Sequence, residues 1–494
     1  MGVRTLAIDR ARGLYDKPRA FALDHEIMRV FQGLGLAGEI APHTAPFTAS
    51  EYYGANGQLI KRLGSVPPPY PLGWPPNMVF TQPPVEAALR KHAGEYPSVE
   101  IELGMELLDF RQAAGRVTLR LRDESGRERE ASARYLVGCD GASSTVRQRS
   151  GIEFEDLDFD EPWLVVDLLV NERGLAKLPE VSIQYCEPAR PCTYLIGPGA
   201  HRRWEIMLLP GEERAKMEIE AEVWRLLSRW LTADEATLWR VASYRFHALV
   251  ARTWRDGRVF IAGDAAHQQP PFTGQGMCQG VRDVANLAWK LRVVLEGGAG
   301  DSLLDSYAAE RAPHVRRLTT TIKGIGRLIC ERDAQAAAAR DRRLLEEAGG
   351  EIRTVPRQQL IPSLERGFFS TPAHPANGSI FPQPRVMHEG GVELMDDVAG
   401  SGFRIVVRED FPLADCGRME LAERLGARLV RIGAAQGCLA ETEGVAAGWF
   451  EKYGCSAALL RPDHYVYGVA RNAAELDRQL VTMAAALHGE KELA

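Results

Sequence analysis

Three aspartates stand where the chain leaves a short apolar, β-capable run: Asp9 after Val3–Ile8, Asp140 after Arg134–Cys139 and Asp264 after Arg258–Ala262. A carboxylate at the carboxyl end of a strand can accept hydrogen bonds from sugar hydroxyls, and Asp9 is placed like the acidic residue that holds a ribose in a dinucleotide-binding unit. Beyond Asp264, Gly274 and Gly276 bare the backbone so that a planar ring can approach closely. Each residue also has a plainer reading, as a turn aspartate or a loop glycine. Eight cysteines are scattered without a CxxC pair or a zinc-type histidine spacing, so no metal ligand is assigned and the thiols read as reduced and mostly buried.

These groups need elements to position them. Asp24 is set to cap a helix whose apolar face is Ile27, Val30, Phe31 and Leu34, ended by Gly33 and Gly35. Six prolines between Ser65 and Asn77 exclude a regular element, and Pro83–Tyr96 returns to a helical pattern. Strands are predicted over Val99–Leu103, Glu106–Gln112, Val117–Arg122 and Arg134–Cys139. Runs at Trp163–Val170, Val181–Cys186, Thr193–Ile196 and Arg203–Leu209, separated by Gly and Pro, predict an inserted antiparallel sheet. An α/β pattern resumes at Arg258–Ala262, followed by a glycine-bearing loop and a helix with Val281, Val284, Ala285, Ala288 and Leu291 on one face. The chain is helical from Asp305 to about Gly349, then runs through a Pro-bearing connector into a C-terminal α/β unit. That unit has strands at Phe403–Val407, Ala427–Ile432, Ala457–Arg461 and Tyr465–Val469, and helices at about Pro412–Leu425 and Ala473–Leu487.

Composition narrows the function. The 494 residues are 45% apolar and 26% charged, within the globular range. A net charge of −6 without a long basic run disfavours nucleic acid as a partner. No apolar run approaches the roughly 18 residues of a membrane span. The first 20 residues lack the features of a secretory signal, which points to the cytoplasm.

Two stretches carry a family resemblance: YLVGCDGASSTVR from Tyr135 to Arg147, and RVFIAGDAAH from Arg258 to His267 with the QQPPFTGQGMCQG that follows. They resemble the second fingerprint and the flavin-binding loop of the FAD-dependent aromatic hydroxylases (class A flavoprotein monooxygenases). Ala285–Leu291 and Tyr307–Arg311 are similar to the family's continuation. Gly73–Pro75, Cys186–Pro191 and Met207–Glu212 most resemble the 3-(3-hydroxyphenyl)propionate hydroxylases. The resemblance implies FAD, NADH or NADPH and O₂ as cofactor and co-substrates, and hydroxylation of a phenolic aromatic acid through a flavin C4a-hydroperoxide. It implies cofactor contacts from Asp9, Arg19 (in Lys17–Ala20), Gln82, Asp140, Asp264, Pro271, Gly274, Gln275 and Gly276. The helix beginning after these glycines would aim its amides at the flavin N1 and C2 carbonyl. Tyr185, Arg190, Tyr194 and Arg203 are the substrate candidates on the inserted sheet. An imidazole such as His267 suits a proton relay, but a structural role is expected and no catalytic residue is assigned.

The expected architecture is a discontinuous Rossmann-like FAD-binding domain (1–70, 96–158 and 245–310) with an inserted substrate sheet (71–95 and 159–244). A helical segment (311–354), a connector (355–384) and a thioredoxin-like domain (385–494) without CxxC follow, the last a structural or homodimerisation element. The family's GxGxxG strand and helix should lie about 30 residues before Asp9. Its absence leads to the expectation of an N-terminally incomplete FAD-binding domain. Two other readings stay open: a hydroxylase or epoxidase of a larger polyketide or antibiotic, and a non-catalytic scaffold unable to bind FAD.

Overall fold

The strand Thr5–Asp9 pairs in parallel with Val99–Leu103, and Leu136–Gly138 pairs in parallel with Val259–Ile261. The two pairs belong to separate sheets in the computed structural model, which describes residues 2–488; Met1 and residues 489–494, the end of the expected 385–494 domain, lie outside the described residues. Asp9 ends the first pair, while Asp140 and Asp264 lie just beyond the second. A three-stranded antiparallel meander, Met105–Ala113, Arg116–Asp123 and Glu128–Ala133, stands beside them. Its last strand was not anticipated, because an exposed strand of charged and small residues carries little apolar alternation.

Asp24 caps as its position requires: Oδ1 accepts from the N–H groups of Glu26 and Ile27, starting the helix His25–Gly33. Ile27 and Phe31 are buried as expected, but Leu34 is exposed, and Arg29 and Gln32 are buried instead. Their partners come from far along the chain. Arg29 donates to Asp396 and to the carbonyl of Phe381, and Gln32 donates to Asp397.

The inserted sheet is larger and more mixed than expected. Its nine strands run in the order His267–Gln268, Ala236–Ala251, Phe154–Val170, His201–Met207, Cys192–Ile196, Ser182–Tyr185, Ala49–Tyr53, Leu59–Gly64 and Thr354–Pro356. Two pairings are parallel: Ser182–Tyr185 with Ser50–Tyr53, and Thr354–Pro356 with Arg62–Gly64. The expectation of an antiparallel sheet built from 71–95 and 159–244 is therefore corrected. Residues 49–64 join the sheet, whereas Asn77–Phe80 pairs with 22–24 and 44–46, and Gln82–Gly94 is a helix. Parallel pairing joins strands that are distant in sequence, so no local turn signal announces it.

Alternation along these strands sorts their side chains into two layers. Leu164, Val166, Tyr185, Tyr194, Trp204 and Ile206 cluster with Val223 and Leu227 of the helix Glu220–Leu227. On the other face, Trp163, Val165, Met207 and Tyr52 cluster with Phe272 and with Leu318 and Ile322 of the helix Asp305–Ile329.

The helix Gly276–Leu295 buries a wider and more polar face than the predicted stripe. Val284, placed on the apolar stripe, is 38% exposed, while Arg282, Asp283, Asn286 and Lys290 are buried. Each buried charge is paired. Arg282 donates to Asp24 and Glu26, Arg311 donates to Asp283, and Lys290 donates to Glu310. Pairing removes much of the desolvation cost that makes such burial improbable in a hydropathy pattern.

In the C-terminal unit, strands Arg428–Ile432, Arg404–Arg408, Ala457–Leu460 and Val466–Ala470 lie side by side in that order. The first pairing is parallel and the other two are antiparallel. Helices Met419–Arg424, Val445–Tyr453 and Ala473–His488 alternate with them. The turn Arg461–Tyr465 joins the charge network: Arg461 donates to Glu310 and Asp463, and Tyr465 donates to Glu26. Among the described residues no helix is long and apolar enough to cross a membrane.

This network sets the acid response. Burial lowers His25 from 6.5 to about 4, so it is neutral in the fold at pH 7. Burial alone would raise Glu310, yet Arg461 and Lys290 hold it at about 2. The depressed histidine favours the unfolded chain as pH falls from 6.5 toward 4, and the stability that ionised Glu310 contributes is lost as pH falls from 4.5 toward 2. Urea midpoints measured at pH 7, 5.5, 4 and 3 should decline stepwise. A flat profile across that range would contradict the assignment.

Candidate active site

Asp283 organises the turn that carries Asp264. Its Oδ2 accepts from the Gly263 N–H at 3.0 Å and bonds His267 Nε2 at 2.7 Å, while Oδ1 accepts from Arg311 at 2.9 Å. His267 is buried and stacked on Trp254, consistent with the structural role expected for it. Asp264 is exposed at the strand's end but crowded by protein, and desolvation raises its carboxyl pKa against the opposing pull of His267 and Arg19. The loop after Asp140 adjoins this turn: Arg147 donates to the Ala265 carbonyl, and Gln268 donates to that of Ala142.

Pro271–Thr273 forms one helical turn that ends at Gly274, where φ is +63°. A Cβ at Gly274 would meet Ala22 Cβ at 2.5 Å, whereas one at Gly276 would meet nothing within 4 Å. Gly274 is thus required by the backbone itself, and the space at Gly276 can admit a ligand. The helix starting at Gly276 has no side-chain cap, so its first-turn N–H groups are available to an electron-rich edge. Gln275 does not fill that role, since its Oε1 accepts from Arg282. An uncapped amide row, open space beside a glycine and an exposed carboxylate on the preceding turn fit a flavin with its ribityl chain.

The segment Lys17–Ala20 is clamped from two sides. Gln82 Oε1 accepts from the N–H groups of Arg19 and Ala20 at 3.0 and 2.7 Å. From the sheet, Arg203 donates to the carbonyls of Arg19 and Pro18. This leaves the exposed Arg19 guanidinium lying 5.1 Å over the Tyr15 ring, close enough to influence Asp264. Gln82 also donates to Glu86, which accepts from Arg90, which in turn donates to Asp9. Asp140 is occupied as a local cap, accepting from Ser144 and from the Val146 N–H.

The structure does not bring all four substrate candidates together. Tyr185 and Tyr194 lie in the layer under helix Glu220–Leu227, away from Phe272; the Tyr185 hydroxyl accepts from Trp230, and that of Tyr194 donates to the Pro179 carbonyl. Arg190 forms a two-pronged pair with Glu212 at 2.8 and 2.6 Å. Arg203 lies on the correct face but is neutralised by Asp167 at 2.7 and 3.1 Å. Side-chain parity within a strand decides the first two, because adjacent residues point to opposite faces. The same parity places Glu205, Thr193 and Gln184 beside Trp163 and Tyr52, and all three are buried. Thr193 donates to Gln184 at 2.6 Å, while Tyr52 Oη, Trp163 Nε1 and Thr273 Oγ1 have no partner among the described residues. Burial raises the Glu205 carboxyl to about 7, against the pull of Arg203 and Arg240. The signal in the sequence is Glu205 itself, a single charge within the otherwise apolar run Trp204–Leu209.

Known proteins resemble this chain along nearly its whole length. The FAD binding domain family model matches residues 1–321, and the HcaD C-terminal domain model matches residues 378–486. A probable NADH-specific resorcinol 4-hydroxylase of Rhodococcus jostii (strain RHA1) is 37% identical over 486 residues, covering 96% of this chain and 89% of the relative. A 3-(3-hydroxy-phenyl)propionate/3-hydroxycinnamic acid hydroxylase of Mycobacterium sp. (strain KMS) is 34% identical over 508 residues, covering 97% and 87%. The crystal structure of the flavin-dependent monooxygenase PieE with FAD and substrate shares the fold at a TM-score of 0.83 and 22% identity, covering 99% of this chain and 95% of that one. With a flavin-type turn, a sheet roofing it and sequence identity along nearly the whole length, this chain belongs to the FAD-dependent aromatic hydroxylases.

Proposed function

We propose that this enzyme uses FAD, NADH and O₂ to hydroxylate a monocyclic phenol bearing an acidic side chain, the class to which 3-(3-hydroxyphenyl)propionate belongs. The observation that carries the reading is the buried polar set Glu205, Thr193 and Gln184 on the sheet face that packs toward Phe272 and the Gly274 turn. Such a set can orient one small phenol between apolar walls. Resorcinol, named in the 37% identical relative, is the second substrate to test.

In this reading Asp264 would hold a ribityl hydroxyl, Arg19 the pyrophosphate and Asp9 the adenosine ribose. Pro271, Gly274 and Gly276 border the ring, Asp140 and Gln275 shape the adjoining turns, and Gln82 and Arg203 position the Arg19 segment. FAD held there would supply the redox chemistry with NADH and O₂ by which one oxygen atom reaches the ring. Glu205 would accept the phenolic proton, which leaves the ring richer in electrons. The strand order of the C-terminal unit and its alternating helices support a thioredoxin-like reading, without a redox role in the absence of CxxC. Supply of reduced nicotinamide places the enzyme in the cytoplasm.

The test is phenol-stimulated NADH oxidation by the FAD-loaded protein, with the hydroxylated product identified by mass. No stimulation by either phenol would refute the reading. Glu205→Gln should lower kcat about 100-fold and abolish the limb of the pH profile near 7 while leaving flavin binding unchanged. An unaltered profile would remove Glu205 from proton transfer.

A further inference from the structure

Arg190 and Arg203 are already paired with Glu212 and Asp167, so neither can receive a substrate carboxylate without releasing an internal one. Another arginine is not so engaged. The strand Thr354–Pro356 closes one edge of the nine-stranded sheet against Arg62–Gly64 and leads directly into Arg357. The Arg357 guanidinium lies 4.4 Å from the centre of the Phe47 ring and donates to the carbonyl of Thr273, the residue before Gly274. The titratable groups facing it are Tyr52, Cys278 and Asp24, and Asp24 is bound by Arg282 at 2.5 Å. Burial pushes the Arg357 pKa down, the mark of a cation without a matching anion. Tyr52 Oη, Thr273 Oγ1 and both amide atoms of neighbouring Gln358 lack partners among the described residues.

We propose that Arg357 is the receptor for the side-chain carboxylate of the substrate, and that this residue makes aromatic acids, rather than neutral phenols, the preferred class. The inference rests on the hydroxylase reading above and sharpens it. A carboxylic acid is ionised at neutral pH whereas a phenol is not, so only the former brings the charge that this half-buried guanidinium lacks among the described residues. Guanidinium and carboxylate can form two parallel hydrogen bonds, with the Phe47 face closing one side. Arg357 sits beside the turn that ends at Gly274, so an acid held there would lie with its ring near that turn.

The experiment measures Kd of the FAD-loaded protein for 3-(3-hydroxyphenyl)propionate, its neutral amide and resorcinol, from the perturbation of flavin absorbance and from tryptophan fluorescence. Arg357→Met should weaken the acid about tenfold or more and change the amide and resorcinol less than about twofold. Arg357→Lys, which keeps the charge and the stem, should retain a preference for acid over amide. Parallel weakening of acid and amide, or no change in either, would overturn the proposal and leave the hydroxylase reading standing. Wild-type protein that binds none of the three, with no phenol accelerating NADH oxidation, would overturn both.

Discussion

Replacing Glu310 by alanine is expected to lower the unfolding free energy by about 3–5 kcal/mol, a large part of the roughly 5–15 kcal/mol available to a folded domain. Glu310 is fully enclosed and accepts from Arg461 at 3.0 and 2.7 Å, Lys290 at 2.8 Å, Asn286 at 2.6 Å and the Phe368 N–H at 2.9 Å. Without it, two buried cations on different elements face each other, with Asp463 as the remaining anion on Arg461. Arg461 belongs to the C-terminal unit and Lys290 to the helix after the flavin turn, so the loss should also loosen that unit. Trp289, whose ring lies 5.4 Å from the Arg461 guanidinium, makes the change visible in fluorescence. An unfolding free energy from urea titration within about 1 kcal/mol of wild type would show the network to be dispensable. The triple change Glu310→Met, Lys290→Met and Arg461→Met should recover much of the loss, because removing all charges costs less than stranding some.

Gly276→Val should separate folding from flavin binding. Open space surrounds the added Cβ, and Val is a better helix residue than Gly, so the fold should be nearly unaffected. Flavin affinity should fall about 10–100-fold, since the branched side chain occupies the ring's approach. Gly274→Val, by contrast, forces a side chain onto a +63° backbone and against Ala22, so the protein itself should destabilise. Titration with FAD, followed by bound-flavin absorbance alongside thermal melts, distinguishes the two. Wild-type affinity in Gly276→Val would place the ring elsewhere.

Much of the site was legible before any coordinates. The cap at Asp24, the strands ending near Asp9, Asp140 and Asp264, and the glycine turn follow from local chemistry: short-range hydrogen bonds, backbone freedom and apolar runs that hold in most surroundings. The family resemblance rested on those same motifs. The polar surfaces were less legible. The burial of Arg282, Asp283 and Lys290 depends on partners at Asp24, Glu26, Arg311 and Glu310, and no window along the helix contains them all. The faces taken by Tyr185, Tyr194 and Glu205 were not readable along the strands, since which face looks inward depends on what packs there. Arg357 was read as part of a connector, because the edge pairing that carries it toward Thr273 is parallel and distant in sequence. Local order thus decided where the turns and carboxylates stand. Only folding could decide which charges meet, because a buried ion is tolerated according to its neighbours in space.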